Sequence, residues 1–166
     1  MQATPRIAIA DDDIDMRQWL QMALQPLGAV IKEAQDGADL LDVLARAEEH
    51  PFDLVITDVY MPMPSGMHVI AMARTAGFTT PFVVITSYAT DELRASLGRM
   101  DHTMLIEKPL KRAPFVTRVS RALEGHPRRA GLDRLLARPP IPRAAGFSRM
   151  YERVARCVSC DARWPV

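Results

Sequence analysis

Short apolar runs recur along the first 110 positions, and four of them stop abruptly at a polar residue. Ile7–Ala10 runs into Asp11-Asp12-Asp13, and Leu54–Thr57 runs into Asp58. Phe82–Ile85 runs into Thr86-Ser87, and Met104–Glu107 into Lys108-Pro109. Ala29–Ile31 is a fifth, shorter strand candidate. Between these runs the apolar residues fall at helical spacing. Met16, Trp19, Leu20, Ala23, Leu24 and Leu27 predict a helix from Asp15 to Leu27, stopped by Gly28. Leu40, Leu41, Val43, Leu44 and Ala47 predict one from Gly37 to His50, ahead of Pro51. Val69, Ile70 and Ala73 predict a third from Met67 to Ala76. A weaker helix covers Thr90 to Leu97, and Phe115, Val116, Val119 and Leu123 predict one from Lys111 to Leu123.

The order is βαβαβαβαβα, which implies an α/β fold with a parallel sheet covered by helices on both faces. In such a sheet ligands bind outside the carboxyl ends of the strands, at the switch point. Asp11, Asp12, Asp58, Thr86 and Lys108 all fall at those ends. Clustered carboxylates repel, and they stay ionised only with positive charge among them. A hard divalent cation with oxygen ligands suits the set.

Asp58 is the candidate nucleophile, because a carboxylate can attack a phosphoryl group to form an acyl phosphate. Such transfer needs positioning and charge neutralisation more than proton transfer by the protein. Asp11 and Asp12 could hold Mg²⁺, Lys108 could neutralise one phosphoryl oxygen, and Thr86 could meet another. Met61-Pro62 and Pro64-Ser65-Gly66 would shape the turn beyond Asp58 so that backbone amides face the site. Each residue alone has an ordinary role: Asp13 can cap the following helix, and Lys108 can be a solvated charge. Their succession at consecutive strand ends is what points to a site.

The segment from Arg6 to Leu123 resembles the receiver domain of two-component response regulators. IAIADDD, LVITDVYMPMPSG, VVITSYA and EKPL carry the resemblance. It implies a flavodoxin-like doubly wound five-stranded parallel sheet in the order 2-1-3-4-5. It implies a signalling switch rather than an enzyme, phosphorylated on Asp58 by a histidine kinase or a phosphotransfer protein. Asp11, Asp12, Asp58 and the backbone carbonyl of Tyr60 would surround Mg²⁺. Thr86 and Lys108 would hold the phosphoryl group, helped by the amides of Tyr60 and Ser87. The Lys108-Pro109 bond is often cis in this family. Output would pass through the face made by helix 4, strand 5 and helix 5, as changed partner binding, and dimerisation on phosphorylation is one form this could take. Two departures stand out. Leu105 occupies the position, three before the Lys, where the family usually has Tyr or Phe. Tyr60 and Tyr88 lie two residues beyond Asp58 and Thr86, where two rings would flank the phosphoryl group.

Charge divides the 166 residues. Residues 1–124 carry 12 Lys/Arg against 17 Asp/Glu, a net −5; residues 125–166 carry 9 Arg against 3 acids, a net +6. The expected organisation is a receiver domain over 1–124 and a basic Pro/Arg-rich tail over 125–166. In the tail, a short helix around Leu132 to Ala137 and an amphipathic one across Phe147, Met150, Tyr151, Val154 and Val158 are candidates. Cys157-x-x-Cys160 is half of a zinc pattern with no second ligand pair in the tail. No apolar run reaches the ~20 residues of a membrane span, and the N-terminus lacks a signal-peptide core, so a cytoplasmic location is expected.

Two other functions fit parts of the pattern. A haloacid-dehalogenase-like Mg²⁺-dependent phosphatase also uses a strand-end Asp, a Thr/Ser and a Lys, but needs an acidic strand end after the Lys that is not found here. A transcription regulator acting through the basic tail would need a DNA-binding fold, for which residues 125–166 are short.

Overall fold

The structure, a computed structural model, describes residues 4–47, 51–62 and 64–125. The helices expected near Leu132 and across Phe147–Val158, and the Cys157/Cys160 pair, lie outside the described residues.

Strands β1 (Arg6–Ala10), β2 (Val30–Ala34), β3 (Leu54–Asp58), β4 (Phe82–Thr86) and β5 (Thr103–Glu107) form one sheet in the order β2-β1-β3-β4-β5. Every neighbouring pair is parallel. Helices α1 (Ile14–Leu24), α2 (Gly37–Ala45), α3 (Gly66–Thr75), α4 (Asp91–Gly98) and α5 (Arg112–Glu124) alternate with the strands. The flavodoxin-like order expected from the sequence is the one observed.

Side chains alternate across a strand, so each central strand feeds two cores. Ile7, Ile9, Leu54, Ile56, Val83 and Ile85 pack against Leu20 and Leu24 of α1 and Phe115, Val119 and Leu123 of α5. Ala8, Ala10, Val55, Phe82 and Val84 face the other way, onto Leu40, Leu41 and Leu44 of α2, Val69, Ile70 and Ala73 of α3, and Leu93 and Leu97 of α4. Complete burial of each Leu is worth about 2 kcal/mol. Both faces of β1, β3 and β4 are therefore covered. Asp13, Asp36 and Thr90 cap α1, α2 and α4 by accepting backbone N–H bonds from Asp15, Asp39 and Leu93. Such caps contribute about 1 kcal/mol each.

Some boundaries differ from the sequence expectation. α1 ends at Leu24, and Gln25–Leu27 forms a 3-10 turn instead of completing the helix. Pro26 has no N–H to give to the carbonyl of Met22, and that carbonyl accepts from the Arg112 guanidinium at 3.0 Å. β2 runs through Lys32 and Glu33 to Ala34, beyond the Ala29–Ile31 segment. It lies at a sheet edge with much of its surface exposed, so polar residues belong there. α2 stops at Ala45, and Ala47 N–H turns back to the Leu44 carbonyl; residues 48–50 of the expected helix are not described. Among the described residues, no helix is long and apolar enough to cross a membrane.

Candidate functional site

Asp11 follows β1, Asp58 ends β3, Thr86 ends β4 and Lys108 follows β5, all at the carboxyl edge of the sheet. β1 has β2 on one side and β3 on the other, so Asp11 and Asp58 flank the point where the connections reverse direction. A crevice opens there by topology alone.

Lys108 closes the crevice. Its Nζ lies 2.5 Å from Asp58 Oδ2 and 3.1 Å from Asp11 Oδ2. Asp11 and Asp58 are buried, and Asp12 is exposed at the rim. One ligand oxygen from each of Asp11, Asp12 and Asp58 falls within 4.8 Å of the others. The remaining oxygens are tied down locally. Asp11 Oδ1 accepts the Asp13 amide at 3.0 Å, and Asp58 Oδ1 accepts the Tyr60 amide at 3.1 Å.

Burial drives the Asp11 carboxyl above the usual carboxylate range, and the Asp13 amide and the Lys108 ammonium offset only part of that rise. For Lys108, burial favours loss of the proton, but Asp58 and Asp11 together outweigh it and hold the ammonium above its ordinary value. The cluster therefore holds three carboxylates, of which the one ammonium pairs with two, Asp11 and Asp58. The donor set is all oxygen and carries excess negative charge, which fits a hard divalent cation.

Thr86 is buried, and its hydroxyl is engaged with Tyr88. It accepts the Tyr88 amide at 3.1 Å and donates to the Tyr88 carbonyl at 3.3 Å. Tyr60 and Tyr88 meet edge to face, with ring centroids 6.3 Å apart, and are 55% and 72% exposed. This contact bridges the loops after β3 and β4. The Lys108-Pro109 bond is cis, and the Lys108 amide bonds the Thr86 carbonyl at 2.8 Å. Leu105 is half-buried and packs into the core shared with α2, α3 and α4.

Sequence reasoning missed Arg17 on α1. Its guanidinium donates to the carbonyls of Asp11 at 2.8 Å and Asp12 at 3.4 Å, and pairs with Glu33 at 3.2 Å. It fixes the acidic loop by its backbone, and only its position one turn after the acidic run hinted at this. Gly66 was read as part of a turn. A Cβ there would lie 2.0 Å from the Asp58 carbonyl oxygen, so glycine is what lets α3 start against the end of β3.

Residues 7–120 match the model of the family described as the response regulator receiver domain. The chain belongs to this family. The receiver is 28% identical over 118 residues to the response regulator receiver protein CpdR of Brucella abortus (strain 2308), covering 71% of this chain and 96% of that protein. It is 32% identical over 117 residues to the probable transcriptional regulatory protein SilR of Salmonella typhimurium, covering 69% of this chain but 49% of SilR. Among solved structures, the chemotaxis protein CheY4 of Vibrio cholerae superposes with a TM-score of 0.63 at 26% identity, covering 72% of this chain and 99% of that one. Receiver domains are phosphorylation-dependent switches of two-component systems and generally not enzymes. Membership favours that reading over the phosphatase alternative, and a histidine kinase or phosphotransfer protein is the expected partner.

Proposed function

We propose that this receiver accepts a phosphoryl group on Asp58 in the presence of Mg²⁺ and uses it to change partner binding. The observation that carries the reading is the pairing of one partly buried ammonium, Lys108, with two buried carboxylates from different strands, Asp58 and Asp11. That arrangement leaves a charge deficit suited to a cation and a phosphoryl dianion together. Asp11, Asp12, Asp58 and the Tyr60 carbonyl would hold Mg²⁺, which supplies charge neutralisation for the oxygens of the incoming group.

The chain's own groups do the rest. The Tyr60 amide and Lys108 hold the two oxygens of Asp58 in fixed positions. A carboxylate oxygen of Asp58 attacks phosphorus, a new P–O bond forms, and the P–N bond to the donor histidine breaks with its electrons going to the imidazole. Lys108 then has a phosphoryl oxygen as its partner, and the Thr86 hydroxyl has another in place of Tyr88. The altered loop after β4 changes the surface made by α4, β5 and α5, and the protein that reads it is the output partner. A cytoplasmic location and a boundary at residues 124/125 complete the proposal; the basic tail serves as a linker or partner-binding segment without DNA specificity of its own.

Incubation with acetyl phosphate and Mg²⁺, followed by intact mass, tests the reading. One phosphoryl group should add to the wild type and none to Asp58→Asn, and Asp12→Asn should label weakly. Equal labelling in excess chelator, or labelling of Asp58→Asn, overturns it.

A further inference from the structure

Helix α2 carries none of the residues assigned to the pocket, yet its first residue meets the loop that shapes it. Gly37 is buried at the start of α2. A Cβ on Gly37 would fall 1.7 Å from the Pro64 carbonyl oxygen, 2.8 Å from the Pro64 carbonyl carbon and 3.2 Å from Pro64 Cγ. Its φ is not in the left-handed region, since among the described glycines only Gly28 and Gly77 have positive φ. Space alone, not backbone conformation, excludes a side chain here.

Pro64 belongs to the loop that leaves Asp58 and returns at Gly66. The loop is anchored at its far end, where Gly66 N–H bonds the Val59 carbonyl at 3.2 Å and Gly66 lies against the Asp58 carbonyl. Met61 is buried in the core with α2 and α3. Pro62 and Pro64 have fixed φ, which removes one of the two soft torsions at each and stiffens the loop. The same loop presents the Tyr60 amide to Asp58 Oδ1. The residue that rests on Gly37 and the residue whose amide meets Asp58 thus belong to one short loop.

We propose that Gly37 is a positioning residue for the phosphoacceptor pocket: the bare backbone at the start of α2 is the wall against which the Pro64 carbonyl rests, and this contact sets where Tyr60 stands beside Asp58. The inference rests on the Mg²⁺-dependent phosphoacceptor reading of that site. Substitution by even a methyl group must move either the helix or the loop by more than an ångström, because ordinary carbon–oxygen contact needs far more than 1.7 Å.

The test compares wild type, Gly37→Ala, Pro64→Gly and Ala38→Gly as full chains. Three quantities are measured: melting temperature, the Mg²⁺ dissociation constant from NMR titration of the Tyr60 amide, and hydrogen exchange of that amide without metal. Gly37→Ala should weaken Mg²⁺ binding about tenfold or more, the scale seen when a group supporting a metal ligand is disturbed. It should also speed Tyr60 amide exchange in the metal-free protein. Pro64→Gly frees the loop with Gly37 intact, and should shift both quantities the same way even if Gly37→Ala does not fold. Ala38→Gly weakens α2 without touching the loop, and should lower the melting temperature alone. If the wild type binds no Mg²⁺, the phosphoacceptor reading fails. If the wild type binds it, and Gly37→Ala or, failing that, Pro64→Gly binds it equally well, the positioning role is overturned.

Discussion

Thr86 and Tyr88 hold each other through both functions of a single hydroxyl: Thr86 Oγ1 accepts the Tyr88 amide and donates to the Tyr88 carbonyl. The hydroxyl at the pocket's β4 corner is thus engaged away from the carboxylates, and no hydrogen bond joins it to Asp58 or Asp11. To meet a phosphoryl oxygen it must give up the bond it donates. Adding beryllofluoride and Mg²⁺ should therefore move the Tyr88 amide resonance strongly in the wild type and in Thr86→Ser. In Thr86→Val, which has no hydroxyl to exchange, the shift should be largely lost. An unmoved Tyr88 amide in the wild type would count against this coupling.

The aromatic pair formed by the loops after β3 and β4 predicts a slow loss of phosphate. Hydrolysis needs a water in line with the Asp58–phosphoryl bond. Tyr60 and Tyr88 touch each other across the loops that frame the crevice, and a tyrosine hydroxyl is a poor general base near neutral pH. The Tyr60→Ala, Tyr88→Ala double variant should lose phosphate several-fold faster after donor removal, followed by mass. Its melting temperature should change little, since both rings are largely exposed. Equal dephosphorylation rates would rule out shielding.

The imbalance of charge in the pocket sets opposite signs for two substitutions in the metal-free protein. Asp11 has a folded-state pKa above its unfolded value, so the folded protein holds that proton more tightly. Its ionisation then costs stability, fully above the folded pKa and not at all below the unfolded one. At pH 7, Asp11→Asn should raise the melting temperature by a few degrees, and the gain should vanish in acid. Lys108 is also raised, but as a base: its contribution is present below pH 10.5 and lost as pH rises through its folded value. Lys108→Met leaves two buried carboxylates without a cation and should destabilise by about 3 kcal/mol. Mg²⁺ should recover part of that loss and should add less stability to Asp11→Asn than to the wild type. Thermal melts with and without Mg²⁺ check all four signs.

Removal of residues 125–166 should leave a folded domain that still labels on Asp58. Every strand, every helix and every pocket residue described lies at or before Glu124. Circular dichroism and intact mass after phosphodonor treatment read the outcome. A truncated chain recovered only as aggregate would mean that the tail completes the core.

The sequence alone determined the order of elements and the chemistry of the strand ends. Four apolar runs ending in Asp11, Asp58, Thr86 and Lys108 were legible because a doubly covered strand has to be apolar along its length and can turn polar only where it leaves the sheet. The cap at Asp13 and the left-handed turn at Gly28, which closes Gln25–Leu27, were local as well. Tertiary structure decided what depends on neighbours distant in the chain. β2 reaches through Lys32 and Glu33 because an edge strand has a solvated side, which no period within it announces. Pro26 ends α1 by a local rule, but the partner found by the orphaned Met22 carbonyl, Arg112, lies 90 residues away in sequence. Thr86 is placed at its strand end by sequence, but the direction of its hydroxyl follows from the loop's own backbone. Gly37 reads as an unremarkable helix start until Pro64 is brought against it. Residue type and spacing specify which groups reach the carboxyl edge. The packing of two separate loops and one helix end determines the distances at which those groups face one another, because contact across the fold is set by shape and not by sequence separation.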